Sequence, residues 1–177
     1  MPHPTTPDAN LALMRTAYAA LGRGDLDACV AMLAQDFLID VAGAPVKRGR
    51  GAWRKNAEVL FTAFPDVKID VEDIFAAGDK VAVRVRLTGT HTGDFLGHPP
   101  TGRRFDYKSN ELYQIVDGKI AAEWICSDTL SLMTQTGVMS GARLVNLWLA
   151  GYRVWFGLAA GLMAGIGLTL AAGAVFG

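Results

Sequence analysis

The sequence has little cysteine or histidine, and neither residue type forms a recognisable metal or redox motif. Two cysteines, Cys29 and Cys126, lie far apart, and the histidines are scattered at positions 3, 91 and 98. A structural zinc site needs several such ligands at short spacings, and a disulfide-rich scaffold needs more cysteine pairs. We therefore predict free thiols in a reducing compartment, with no metal and no cofactor.

An excess of charge of one sign is also missing. Lys and Arg together number 17, as do Asp and Glu, and the sequence pI is about 6.8. A nucleic-acid-binding domain usually carries a basic patch, so we predict no nucleic-acid partner. The glycine pairs at 22–24 and 49–51 lack the strand-before, helix-after context of a phosphate-binding loop.

Charged residues are missing altogether from the C-terminal end of the chain. After Arg153, the stretch 154–176 is apolar or small apart from Thr169. A helix over this stretch would extend about 34 Å at ~1.5 Å per residue, enough for a hydrocarbon core of ~30 Å. Aromatic residues cluster just before or within it, at Trp148, Tyr152 and Trp155. We predict a transmembrane helix at 154–176 after a juxtamembrane segment at 141–153; the alternative is a buried helix or an oligomer interface.

The flanks and the small residues of this helix suggest its orientation and a partner. Arg143 and Arg153 precede the span, which favours a folded domain in the cytoplasm that is anchored to the membrane by its C-terminal tail. Gly157, Gly161 and Gly165 recur every four residues, a spacing that lets two helices approach closely. The same glycines could simply reflect the composition of membrane helices, so a homodimer through this face is one of two interpretations.

The rest of the chain is predicted to begin with helices. Residues 1–9 are predicted to be a disordered leader and residues 10–140 the folded domain. Asn10 and Asp25 are suited to cap the first two helices. A third helix is expected from about Gly51 to Phe64, where the following proline disfavours helical geometry.

Strands follow the helices. A short strand is expected at 37–41, and the alternation of apolar and polar residues predicts further strands that begin near residues 67, 81, 105 and 119. Asp117-Gly118 is a strong signal for a two-residue hairpin. Helices followed by an antiparallel meander predict an α+β fold, with the sheet curling over the helices.

The last predicted strand ends in a candidate catalytic acid, Asp128. Strict alternation would place one set of side chains on a common face: Ile120, Ala122, Trp124, Cys126 and Asp128. A carboxylate at the end of an apolar face is suited to a raised pKa and to general acid/base chemistry. Alternatively, Asp128 caps the helix that begins at Thr129.

Several motifs resemble one known family. They are Phe64-Pro65-Asp66, Gly89-Thr90-His91-Thr92-Gly93, Phe95-Leu96-Gly97, Pro99-Pro100-Thr101-Gly102, Asp117-Gly118-Lys119-Ile120, Glu123-Trp124 with Asp128, and Gln135-Thr136-Gly137. Over about residues 10–138 the chain resembles the SnoaL-like polyketide cyclases (ester cyclases) of the nuclear transport factor 2-like (NTF2-like) superfamily. The resemblance implies a cone-shaped α+β fold, in which a curved antiparallel sheet wraps three helices around a deep apolar pocket, commonly as a dimer.

The resemblance also implies a function. In these cyclases an aspartate that matches Asp128 is the acid/base of an intramolecular aldol ring closure without metal or cofactor. We therefore expect a cyclase or isomerase that acts on an apolar, carbonyl-containing small molecule. The alternatives are a non-catalytic protein that binds a lipophilic ligand or serves as a dimeric scaffold, and an epoxide hydrolase relative. The latter needs an Asp–Arg–Asp arrangement, whereas Arg84 and Arg86 are expected to face solvent.

Further site residues are expected around Asp128. His91 has the strand parity of Val81 to Leu87, so it could polarise a substrate carbonyl or tune Asp128, or it could hold the following loop in place. Tyr18 and Asn56 match the aromatic and the amide that the family places near its substrate, although core packing or a satisfied hydrogen bond also explains each.

The other predicted pocket residues lie on the third helix and the last two strands. The family's pocket histidine on the penultimate strand has no counterpart between Phe105 and Ile115, and Glu111 and Tyr113 occupy that region instead. Trp53 and Trp124 complete the predicted pocket.

Overall fold

The computed structural model describes residues 6–176. It divides into two units, of which the first extends to Val138 and the second begins at Met139. In the second unit, nothing is described beyond the backbone at several positions: 143, 144, 147, 153, 154, 156, 160, 165 and 167–176.

Three helices open the first unit: α1 (Pro7–Gly22), α2 (Leu26–Met32) and α3 (Arg50–Ala63). Helix α1 begins earlier than predicted, because the Oγ1 atom of Thr6 accepts the N–H of Ala9 at 3.2 Å and proline suits the first helical position. The predicted cap, Asn10, instead donates from Nδ2 to the carbonyl of Gly78 at 3.0 Å. Residues 7–9, which the sequence predicted to belong to a disordered leader, are therefore helical, and residues 1–5 lie outside the described part. Asp25 caps α2 as predicted.

One six-stranded sheet covers these helices. Its strands are β1 (Leu33–Val41), β2 (Lys47–Arg48), β3 (Lys68–Ala77), β4 (Lys80–Thr90), β5 (Arg104–Val116) and β6 (Lys119–Ser127). Their order in the sheet is β2-β1-β6-β5-β4-β3. A short helix, α4 (Thr129–Gln135), follows β6. The arrangement is an α+β fold, as the sequence predicted.

The sheet is mixed, whereas the sequence predicted an antiparallel one. Strand β1 runs parallel to β6, and the remaining neighbours are antiparallel. The parallel pair is possible because β2, α3 and the three strands β3 to β5 separate β1 from β6 along the chain, and such a long connection can bring a strand back in the same direction. The hairpin at Asp117-Gly118 has the two positive φ angles, 49° and 71°, that a type I′ turn requires.

A bulge in β6 changes which side chains face the interior. Ile120 pairs with Ile115 and Ala122 pairs with Gln114, so Ala121 is an extra residue between two consecutive partners. Because side chains alternate along a strand, one extra residue moves the following side chains to the opposite face. Strict alternation through β6 was therefore the wrong prediction, and Glu123 faces the interior with an exposed fraction of 5%.

The hydrophobic core lies between the helices and the interior face of the sheet. Phe64, directly after α3, is fully buried, and its ring centroid lies 4.6 Å from that of Phe105 and 5.1 Å from that of Phe95. The loop after β4 joins this core, because Gly93 donates its N–H to the carbonyl of Ala63 at 3.0 Å. This close contact ties the end of α3 to the loop.

The second unit contains one helix, α5 (Gly141–Phe176). Among the residues that the structure describes, no helix combines the length and the apolar character needed to cross a membrane. The predicted transmembrane helix at 154–176 is therefore not supported, and many of its side chains lie outside the described part. The location at a membrane stays a prediction. Trp148 and Tyr152 pack against each other, with ring centroids 4.8 Å apart.

We expect Gly93→Ala to destabilise the folded domain. A Cβ atom at Gly93 would lie 1.9 Å from the carbonyl oxygen of Thr62, which is backbone and cannot rotate away. Overpacking of this kind costs about 1–3 kcal/mol, measurable by urea denaturation followed by circular dichroism. The control is Gly22→Ala, because nothing lies within 4 Å of a Cβ there. Equal denaturation midpoints for the two variants would contradict the close approach.

Candidate functional site

A cavity of about 590 Å³ lies between the helices and the interior face of the sheet. Most of its wall is aliphatic or aromatic; the apolar residues include Met14, Leu21, Leu33, Leu60, Ile69, Val85, Leu87, Ile120 and Ile125. Two lysines that line it, Lys47 and Lys55, are exposed to solvent. A cavity of this size, apolar with a few polar groups, is typical of a small-molecule site.

Most of the predicted pocket residues lie in the wall of this cavity. Tyr18, Trp53, Asn56, Glu111 and Tyr113 line it. The Oδ1 atom of Asn56 accepts a hydrogen bond from the Nζ atom of Lys47 at 2.8 Å, near the exposed side of the cavity.

Trp124 does not line the cavity, so its prediction as a pocket residue was wrong. It lies in a separate depression with Leu112 and Cys126, and the Nζ atom of Lys80 lies 4.4 Å from its ring centroid. The bulge at Ala121 explains this position, because it exchanges the faces of Glu123 and Trp124.

Two tyrosines and a glutamate form a tight cluster in the wall. Tyr18 on α1 and Tyr113 on β5 each donate a phenolic hydrogen bond to Oε2 of Glu111, both at 2.5 Å. The two phenolic oxygens lie 2.9 Å apart. Burial, followed by the charge of Glu111, raises the pKa of both tyrosines well above the usual range. Glu111 and Tyr113 share a face because they are two residues apart on β5.

Glu123 adds a second carboxyl group to this wall. It pairs across the strands with Tyr113 and lines the cavity. Burial, followed by the nearby charge of Glu111, raises the pKa of Glu123 well above its usual value, whereas a hydrogen bond with the side chain of Trp53 acts in the opposite direction. The desolvation is the larger effect, so the environment favours the neutral carboxylic acid.

Asp128 lies outside the wall of the cavity, although its neighbour Ser127 is part of it. The carboxylate is exposed and caps α4: Oδ1 accepts the N–H of Ser131 at 3.0 Å, and Oδ2 accepts the Ser131 hydroxyl at 2.6 Å. These two hydrogen bonds lower the pKa of Asp128. The predicted raised pKa is therefore wrong, because the apolar face expected around Asp128 does not surround it. The capping interpretation agrees with these contacts.

His91 is fully buried, but it does not line the cavity. The Thr101 hydroxyl donates to the carbonyl of Thr136 at 2.6 Å, so it accepts from Nδ1 of His91 at 3.1 Å. The backbone of His91 also pairs with that of Arg103 and Gly102, each at 2.9 Å. These contacts join the loop after β4 to the end of α4, and they favour the structural interpretation over a role beside Asp128.

The sequence did not single out Glu123 as a site residue, because the bulge that turns it inward has no clear signature at Ala121-Ala122. One signal was present: Glu123 is the single charged residue between Lys119 and Asp128. A carboxylate within such an apolar strand is either exposed or held by a specific environment. Because we assumed strict alternation along β6, we expected Glu123 to be exposed.

The chain matches known proteins over the unit that contains the cavity. Residues 12–136 match the family model for SnoaL-like polyketide cyclases. The chain is 31% identical over 129 residues to aklanonic acid methyl ester cyclase DauD from Streptomyces sp. (strain C5), which covers 71% of this chain and 80% of DauD.

Solved structures agree with this match. The structure of wild-type IdmH from Streptomyces antibioticus superposes with a TM-score of 0.65 at 31% identity, covering 72% of this chain and 98% of IdmH. TsrD from Streptomyces laurentii gives a TM-score of 0.67 at 27% identity, covering 76% of this chain and 99% of TsrD.

We expect Glu123→Gln to remove a pH dependence of stability. The pKa of Glu123 is raised in the folded protein above a reference value of 4.5, so the folded state holds a proton that the unfolded state releases. Glu123 contributes its full stabilisation of the fold at pH values below its pKa in the unfolded state. This stabilisation is lost as the pH rises through its pKa in the folded state. Between the two pKa values, the free energy of unfolding should fall by about 1.4 kcal/mol per pH unit relative to Glu123→Gln.

Urea denaturation of both proteins across this pH range measures that difference. Glu58→Gln, at an exposed position on α3, is the control and should parallel the unmodified protein. A constant difference between Glu123→Gln and the unmodified protein at every pH would show that Glu123 titrates normally.

Proposed function

Because this chain belongs to the SnoaL-like polyketide cyclase family, we propose that it is an enzyme that carries out acid/base chemistry on an apolar, carbonyl-containing small molecule. The reaction is a ring closure or an isomerisation and needs no cofactor. The similarity to DauD, a protein named as an aklanonic acid methyl ester cyclase, supports the reaction class.

The cavity is the observation that carries this proposal. Its apolar wall would accept a hydrophobic molecule, while Glu111, Glu123, Tyr18 and Tyr113 place acidic and hydrogen-bonding groups beside it. Small-molecule sites combine these features: apolar contacts supply affinity, and a few polar groups orient the ligand.

An intramolecular aldol reaction suits a site with carboxyl groups alone. A C–H group between two carbonyls is acidic, so a carboxylate can remove its proton and leave an enolate that the substrate itself delocalises. The carbon then attacks a second carbonyl, and the alkoxide that forms takes up a proton. The proton lost from carbon equals the proton gained by oxygen, so the reaction consumes no other reagent.

Asp128 is the proposed base. The family resemblance assigns this role to its position, and the hydrogen bonds from Ser131 that lower its pKa keep it ionised near neutral pH. Asp128 directly follows Ser127, which lines the cavity, so a substrate that extends past Ser127 would approach it. His91 contacts Thr101 rather than Asp128, so we assign it to the scaffold.

A specific observation favours a second candidate function. Asp128 is exposed and both of its carboxylate oxygens accept hydrogen bonds from Ser131, as expected of a structural cap. On this alternative, the protein binds a lipophilic ligand without changing it. A homodimer remains a prediction on either alternative.

The epoxide hydrolase alternative loses its support. Arg84 and Arg86 are exposed, as the sequence predicted, and form ion pairs with Glu72 and Asp106 on the outer face of the sheet. They are therefore unable to complete an Asp–Arg–Asp arrangement in the cavity.

We expect Asp128→Asn to lower kcat at least about 100-fold, because general acid/base catalysis contributes factors of this size. Asparagine is also a good helix cap, so the fold should persist. Turnover of aklanonic acid methyl ester, followed by liquid chromatography, is the measurement. The matched control is Asp25→Asn, at the cap of α2, where Oδ1 likewise accepts a backbone N–H at 3.0 Å.

The outcome separates the two candidate functions. Full activity in Asp128→Asn would refute Asp128 as the base. An unmodified protein that binds the ester and releases it unchanged would favour the ligand-binding alternative.

A further inference from the structure

We propose that Glu123 presents a neutral carboxylic acid to the cavity and donates a hydrogen bond to a carbonyl oxygen of the bound molecule. The inference deepens the proposed function and rests on it for one point, that the ligand carries a carbonyl group. It assigns the cavity a preference for neutral carbonyl compounds over hydrocarbons of the same shape.

Glu123 lies at a buried position in the wall of the cavity. The bulge at Ala121 turns this side chain into the cavity, where it forms part of the wall although only 5% of the residue is exposed. A polar group in such a place is almost always matched by a partner. Within the wall, the indole N–H of Trp53 is the donor near Glu123, and it acts to lower the pKa of that carboxyl group. The indole N–H can only donate, so this contact leaves the carboxyl O–H of Glu123 unused.

Glu123 is the group of the wall that holds a proton. It is buried beside half-buried Glu111, and neighbouring carboxyl groups that are poorly solvated resist being ionised at the same time. Glu111 accepts two phenolic hydrogen bonds on one oxygen, an arrangement that suits a carboxylate. Glu123 has no such donors beyond Trp53 and forms no ion pair among the described residues. The proton of the pair therefore resides on Glu123, in agreement with its raised pKa.

Several charged or titratable groups line the cavity with Glu123. Tyr18 lies on α1, Cys29 lies on α2, and Tyr107, Glu111 and Tyr113 lie on β5. Lys47 from β2 and Lys55 from α3 line the same cavity, but both are exposed to solvent, which screens their charge. None of these groups supplies a buried positive charge that would stabilise the anion of Glu123.

A ligand in the cavity would meet few free donors. The phenolic protons of Tyr18 and Tyr113 are committed to Glu111. Among the buried side chains of the wall, the carboxyl O–H of Glu123 and the phenolic O–H of Tyr107 are left for a ligand, and a carbonyl oxygen is the acceptor that suits them. Replacement of Glu123 distinguishes the two donors. A hydrogen bond to that oxygen draws electron density from the carbonyl, which makes an adjacent C–H more acidic and stabilises the enolate. The proposed base would then act on a substrate that Glu123 has polarised.

The test compares 9-fluorenone with fluorene, which has the same ring system without the carbonyl. Equilibrium dialysis against the full-length protein gives the two dissociation constants. A net hydrogen bond contributes about 0.5–1.5 kcal/mol, so fluorenone should bind about 2- to 12-fold more tightly than fluorene. Glu123→Leu should bring this ratio to about 1, because leucine cannot donate. Glu123→Gln should keep the ratio, because its amide can donate.

The pH dependence separates the protonated acid from its anion. In the unmodified protein the ratio should fall as the pH rises through the titration of Glu123, because the carboxylate can only accept. Glu123→Gln should keep its ratio across the same range. Glu58→Gln is the matched control for loss of a carboxylate and should behave as the unmodified protein.

Several results would overturn the proposal. They are an unchanged ratio in Glu123→Leu, a ratio that does not depend on pH in the unmodified protein, and failure of fluorenone to bind. If Glu123→Leu does not fold, as judged by circular dichroism, the proposal is tested by the pH dependence of the binding ratio alone, measured for the unmodified protein and for Glu123→Gln. The binding test and the turnover test can fail independently. If the protein prefers fluorenone to fluorene through Glu123 but does not turn over the ester, the proposed enzyme is refuted and the inference about Glu123 stands.

Discussion

The placement of two carboxyl groups, buried Glu123 and half-buried Glu111, in one apolar wall is the constraint on which the rest of the site depends. Glu111 is accommodated by two phenolic hydrogen bonds, from Tyr18 and Tyr113. Glu123 has fewer partners, so its burial favours the neutral acid. The cluster joins α1 to β5 and β6, and it therefore links the helical layer to the sheet at the place where the cavity lies. Polar contacts of this kind fix the relative position of elements that apolar packing alone would hold less specifically.

The bulge at Ala121 makes this arrangement possible. Without the extra residue, Trp124 would face the cavity and Glu123 would lie on the outer face of the sheet. The large indole would then fill part of the space that a ligand needs. One residue in the register of β6 thus decides both the volume of the cavity and the chemistry of its wall.

The motifs that identify the family have two kinds of role. His91, Thr101 and Thr136 form a hydrogen-bonded chain that joins the loop after β4 to α4, and Gly93 lets that loop approach the end of α3. These residues maintain the scaffold around the cavity. Tyr18, Trp53 and Asn56 line the cavity itself. A motif therefore identifies the fold readily, while each of its residues needs the structure before a chemical role can be assigned.

Local signals in the sequence determined the helices, the meander and the turn at Asp117-Gly118, because capping, periodicity and positive φ angles depend on neighbours along the chain. The family and the cavity-lining residues on α1, α3 and β5 also followed from the sequence. The tertiary structure decided the parallel pairing of β1 with β6, the inward position of Glu123 and the position of Asp128 outside the wall of the cavity. These features depend on strand register and on burial, which arise from partners distant in the chain, so alternation along one strand could not reveal them.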